Sequence, residues 1–441
     1  MQTQNRRRAD AALLDAVERG DEAAARAAIS GGANVACCTE GRCTPLHEAA
    51  CGGHVACARL LLDRGAAVDA QDADGFTALL FAAEGGRVEC LRLLLERGAM
   101  LLATDEDGST ALHYASLCGS VECAELLLER GVPVDATMAR GATPLHCAAQ
   151  NGSVECARLL LERGASVHSA TDDGVTPLHF AGKSDHTPCA QLLLDRGALM
   201  NSASKRGWTP LHKACLKGNL GCVSLLLERG ADVGMPTLRG RTPLHCSVQD
   251  GHSACARLLL ERGASVHAAT EHGVRPLHIA AGRGRLECVQ LLLERGAAVS
   301  PRSNVGVTPL HVAAEKGHTE VVFELLWRGA DASLVDNDGS TPATLAARHE
   351  KQSVADLLAA WLRGELRKWR REAHAMFPAA FCADVAATLL ALASSAPAQQ
   401  SPSNPLRTLQ AHHLLEPLFS ALLTAHVGGP PRSLTAVQLP A

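Results

Sequence analysis

Seventeen cysteines and twenty histidines stand in this chain of 441 residues, enough for zinc, disulfide or thiol chemistry if the fold brings them together. Their spacing argues the reverse. Eight of the cysteines, Cys57, Cys90, Cys123, Cys156, Cys189, Cys222, Cys255 and Cys288, follow one another at steps of 33 residues. His47, His113, His146, His179, His212, His245, His278 and His311 keep the same period. A zinc site needs four ligands converging at about 2.0–2.3 Å, and a disulfide needs Cα atoms within about 7 Å. Stacked helices lie about 8–10 Å apart, so one thiol per repeat meets neither requirement, and the ladder reads as small buried apolar residues. Cys37, Cys38, Cys43 and Cys51 do cluster with His47 and His54, but without the paired CxxC spacing of a zinc site. A thiol redox or metal sensor built on them is the competing reading. The number of thiols suits a reducing compartment.

The sequence holds no GxxxxGK[ST], HExxH or GxSxG element and no kinase set, the patterns that would cradle a phosphate, bind a catalytic zinc or present a nucleophile. A protein without catalytic residues, metal or cofactor is expected. Composition narrows the class further. Apolar residues make up 47% of the chain but aromatic ones only 3%, too few for a sheet core that leans on aromatic and β-branched side chains. The 42 Lys and Arg against 46 Asp and Glu give a net charge of −4, which argues against a protein drawn as a whole to nucleic acid. Asp10, Asp15 and Glu18 interrupt the N-terminal stretch after Arg6-Arg7-Arg8, unlike a secretory signal. No window reaches the roughly 18 apolar residues of a membrane span. A cytoplasmic location is expected, with nuclear entry left open.

The elements that position these side chains are visible in the repeat itself. Thr-Pro-Leu-His begins at Thr44, Thr143, Thr176, Thr209, Thr242 and Thr308, with near-copies at Thr77, Thr110, Arg275 and Thr341, every step being 33 residues. Thr143 is a good N-cap and Pro144 a good first helical residue, which predicts a short helix ending near Gly152. Ser153 is expected to cap a second helix over 154–163, with Glu155 and Arg163 complementing its dipole and Gly164 ending it. The polar segment onward to Gly174 predicts a projecting hairpin-like finger. Arg275, Asp185 and Leu80 depart from the pattern at the capping Thr, the inter-helix Gly and the motif His. Pro188 falls in a first turn, where it is tolerated.

This 33-residue unit with Thr-Pro-Leu-His-x-Ala resembles the ankyrin-repeat family over about residues 9–363. The resemblance implies an all-α ankyrin-repeat solenoid, helix-turn-helix plus hairpin finger in each unit, with a small C-terminal helical tail. The expected divisions are a capping unit over 1–38, the array over 39–368, a helical extension over 369–393, a linker over 394–405, a helix over 406–427 and a flexible end over 428–441. It also implies that the motif histidines hold the helix starts through local hydrogen bonds, and that partners sit in a concave groove formed by the fingers and first helices.

Reading only the groove positions removes the scaffold's own repeating charges. Toward the N-terminal half they are acidic: Asp74, Glu84, Glu106, Asp107, Asp172 and Asp173, with Phe76 among them. Between about 204 and 284 they turn basic. Lys205, Arg206, Trp208, Leu216 and Lys217 come first, then Leu238, Arg239 and Arg241, then His272, Arg275 and Arg283. Trp208 stands where other units carry small or aliphatic residues, Phe or Arg, and Trp and Arg are favoured interface anchors. The alternative is that Trp208 lies against the next finger and the charges are a solvated surface. The partner-binding set is therefore Lys205, Arg206, Trp208, Leu216, Lys217, Arg239, Arg241, His272 and Arg283, expected to take an acidic or phosphorylated segment of a protein. The function expected is a monomeric, non-catalytic interaction scaffold, with nucleic acid and membrane set aside. A ubiquitin-ligase adaptor is the alternative, its C-terminal helices contacting the ligase.

Overall fold

Each repeat turns on the same local chemistry. Thr143 is extended, with φ −108° and ψ 167°, and its backbone N–H donates to Nδ1 of His146 at 3.1 Å. Pro144 then opens the helix Pro144–Asn151, and Gly152 closes it in the left-handed region at φ +74°. The second helix runs Val154–Glu162. Its inner face buries Cys156, Ala157 and Leu160 completely, as the first helix buries Leu145, Ala148 and Ala149. Alanine and cysteine at these positions let helices approach closely, which is why a core so poor in aromatic rings closes at all.

The computed structural model describes residues 2–363, and among them the chain carries 22 α-helices and no β-strand. They form two compact units, residues 2–247 with 254–264, and residues 248–253 with 265–363. The first unit stacks helix pairs from Gln2–Glu18 and Glu22–Ser30 through to Pro210–Lys217 and Leu220–Glu228. The second holds Pro276–Gly282 with Leu286–Glu294, Pro309–Lys316 with Thr319–Trp327, and Pro342–Arg348 with Gln352–Leu362. In each unit every pair buries its apolar face on its neighbours, the obligatory stacking of a repeat fold. No helix among the described residues is long and apolar enough to cross a membrane. The extension over 369–393, the linker, the helix over 406–427 and the end over 428–441 lie outside the described residues, and the ligase-contacting tail lies there with them.

The motif histidine ties one repeat to the next. With Nδ1 accepting from the Thr N–H, the ring carries its proton on Nε2. In His146, His179 and His212 that Nε2–H donates to the carbonyls of Val175, Trp208 and Arg241, at 3.0, 2.9 and 3.0 Å. His278 and His311 repeat the bond in the second unit, to Val307 and Ser340. His47 departs from this pattern and reaches the Ala70 carbonyl at 2.8 Å. Leu80, in the place of the motif histidine, is fully buried.

Two local expectations are corrected. Ser153 occupies the N-cap without a capping hydrogen bond; its hydroxyl is taken by Asn151 Nδ2 at 3.3 Å. Arg163 lies just past the helix, and its guanidinium pairs with Glu125 of the preceding repeat at 3.0 Å. Arg97–Asp63 and Arg229–Asp195 make the same kind of exposed link, worth at most about 1 kcal/mol each. The fingers are tight loops closed within themselves, Ser204 N–H to Trp208 O at 2.8 Å for one. Their tips join across repeats by single backbone bonds, Lys205 N–H to Asp173 O at 2.8 Å and Leu238 N–H to Arg206 O at 3.1 Å. Asp185 holds the left-handed position meant for glycine at φ +61°.

Candidate functional site

The sulfur ladder is inert. All eight of its cysteines are buried, and the Cys90, Cys156 and Cys222 thiols point at Ala carbonyls of a preceding repeat, 3.6–3.9 Å away. Burial pushes Cys156 and Cys189 up to about 12 and Cys90 and Cys288 up to about 11, so these thiols stay protonated. Two of the N-terminal cysteines, Cys37 and Cys43, behave alike. Burial and the Cys43 Sγ contact to Glu48 at 3.3 Å push the Cys43 thiol up to about 12. Burial likewise raises Cys37 to about 11. Among the described residues no group of cysteine, histidine and carboxylate side chains is placed to hold a metal ion, and all sixteen described cysteines are free. Titrating the native protein with a thiol-reactive dye should therefore modify the exposed Cys38, Cys51 and Cys118 well before any ladder cysteine, checked by peptide mapping. Early labelling of Cys156 or Cys189 would contradict this packing.

The surface that differs from repeat to repeat is the one made by fingers and first helices. Trp208 sits at the base of its finger, and its indole is half-buried. Lys213, from the following helix Pro210–Lys217, places its Nζ 4.9 Å from the ring centroid. Arg241, at the same position one repeat on, places its guanidinium carbon 5.9 Å away. His212 meets the ring edge-on at 5.8 Å. Trp208 thus does rest on its neighbours, as a bridge between two repeats, with cations on it. Around this seam Lys205, Arg206, Lys217 and Arg239 are exposed and Leu216 is half-buried. Leu238, at the next finger tip, is 68% exposed. Burial first, then the Lys183 charge, push the Lys213 ammonium below its ordinary value; Cys246 opposes them, Arg206 adds to them, and Asp173 opposes them last.

Seven of the nine residues singled out from sequence thus fall in the first compact unit, Lys205 through Arg241. His272 and Arg283 belong to the second. There His272 is exposed at a finger tip, its carbonyl accepting from Asn304 N–H at 3.0 Å, and Arg283 caps the helix Pro276–Gly282.

Sequence reasoning missed the residue that follows the motif histidine. Read down the repeats, that position is Glu48, Phe81, Tyr114, Cys147, Phe180, Lys213 and Cys246, and it faces the fingers. Phe76 meets Phe81 and Tyr114 at 5.1 Å in each case, and the Tyr114 hydroxyl donates to Asp105. The signal was present, one place beyond the motif that drew the eye. Tyr114 and Phe81 carry the acidic part of the same unit, as Lys213 and Trp208 carry its basic part.

The family comparison agrees with this architecture. The family described as Ankyrin repeats (3 copies) matches residues 13–105, 99–171, 166–237, 230–303 and 299–368. Among solved structures, the crystal structure of the human ASB11 ankyrin repeat domain is 36% identical, covering 50% of this chain and 98% of that one, with a TM-score of 0.46. No curated protein matches the chain. Successive family matches run from residue 13 to residue 368, the span over which the helix pairs repeat, and the chain belongs to the ankyrin-repeat family.

Proposed function

We propose that this chain is a non-catalytic scaffold that holds partner proteins on its finger-and-first-helix face, and that an anionic partner segment crosses the Trp208 seam. The observation that carries the reading is the indole held between Lys213 and Arg241. Lys205, Arg206, Lys217 and Arg239 belong to the same finger, its helix and the next finger, exposed and without an ion pair among the described residues. Charges that serve the scaffold are paired along the second helices, as in Arg97–Asp63 and Arg229–Asp195. Those around Trp208 are left for something else. A large ring anchored at the centre and ringed by cations is the arrangement of an interface anchor, and its long-range field would speed encounter with an acidic segment.

The test is affinity capture with the full chain and with a variant carrying Lys205→Glu, Arg206→Glu and Arg239→Glu. All three side chains are exposed, so each should change stability by no more than about 0.5 kcal/mol. Partners held by the Trp208 seam should fall at least tenfold in the variant while its melting temperature holds. An unchanged set of partners would mean that the charges are solvated surface.

A further inference from the structure

Lys213 is out of character for its position. The equivalent residues in the neighbouring repeats are Tyr114, Cys147, Phe180 and Cys246, so its charge belongs to no repeating feature of the scaffold. The side chain is half-buried, and its Nζ lies 4.9 Å from the Trp208 centroid. Among the described residues it makes no ion pair. The titratable groups that act on it are cationic Lys183 and Arg206, the Cys246 thiol, and a single carboxylate, that of the exposed finger-tip residue Asp173.

Like charges gathered around a half-buried ammonium are unfavourable in the free protein, and an anion placed among them is favoured to the same degree. One carboxylate brings one charge. A phosphate monoester brings about −1.5 to −2 at neutral pH and three strong acceptor oxygens, which better suits a place where Lys213 and Arg241 both lie on one indole ring.

Resting on the proposed reading of this face, we infer that Lys213, held with Arg241 on the Trp208 ring, receives the phosphoryl group of a phosphorylated side chain in a partner's peptide segment. The acidic half of the same unit, from Asp74 to Asp107, repels that segment and keeps it on the Trp208 half.

The experiment uses the full chain on three peptide arrays of identical degenerate sequence, with phosphoserine, Glu or Ser fixed at the centre. The phosphoserine array should retain the protein at least tenfold better than the Glu array. Lys213→Met should lose that preference at least tenfold, Lys213→Arg should keep it within a few-fold, and Arg59→Met, exposed on a second helix, should leave it unchanged. Equal retention on the Glu and phosphoserine arrays would overturn the phosphate inference and leave the anionic face standing. So would phosphoserine binding that survives Lys213→Met, or partners lost from the charge-reversed variant yet insensitive to phosphatase treatment of the lysate. No retention on any array, together with unchanged partners for the charge-reversed variant, would overturn both.

Discussion

Lowering the pH from about 7 to about 5 should cost the folded protein several kcal/mol, because three histidines in consecutive repeats are held neutral. Burial pushes His146, His179 and His212 down to about 4 from an ordinary 6.5. The Lys213 charge adds to this at His179 and His212, and that of Arg241 at His212. With the folded value depressed, the unfolded chain takes up protons first as the pH falls. Stability is then fully present above about 6.5 and is lost between there and about 4. Each histidine contributes about 1.4 kcal/mol per pH unit in that window, so the three together give about 4 kcal/mol between pH 6 and 5. That is a large share of a typical stability of about 5–15 kcal/mol. The structural reason is that Nδ1 accepts the Thr N–H in each case, and a protonated Nδ1 has no lone pair to offer. Urea unfolding at about pH 7, 6 and 5 should show the midpoint falling steeply. His179→Gln, which cannot titrate, should lessen that slope, though by less than a third because His47, His113, His278 and His311 are also lowered by burial. A midpoint that holds from pH 7 to 5 would contradict the histidine account.

The second large effect is expected at Gly207. Its φ is +77°, and a Cβ built there would stand 2.6 Å from the Leu238 amide nitrogen and 2.9 Å from the Thr237 Cα. Those are backbone atoms of the next finger and cannot turn aside. Gly197 has a similar φ of +90°, but a Cβ there meets nothing within 4 Å. Gly197→Ala should therefore cost only the left-handed conformation, about 1 kcal/mol. Gly207→Ala adds forced overpacking and should cost about 3 kcal/mol in all. It also pushes on the Leu238 N–H bond to Arg206 that registers the two fingers beside Trp208. Comparing the two variants by thermal melting separates a steric cost from a conformational one, and equal losses would mean that the finger yields.

Helix starts were readable because their chemistry is local. Thr, Pro and His within four residues make the cap and its hydrogen bond unaided, and the same residues return with the period of 33. Where the outcome depended on a distant group, the reading failed. Arg163 looked like a dipole partner until Glu125, 38 residues earlier, came within 3.0 Å. Trp208 could be singled out as an odd residue at its position, but its two cations come from different repeats. Lys213 could be found only by lining up first helices and asking which position faces the fingers.

The central claim is that partners lie on the finger-and-first-helix face beside Trp208. The most direct test places a photo-crosslinking benzoylphenylalanine at Leu216 on that face, or at Glu122, exposed on a second helix. Captured partner should crosslink to the protein carrying the probe at 216 and not to the one carrying it at 122. Crosslinks from 122 with none from 216 would put the partner on the second-helix side and contradict the account.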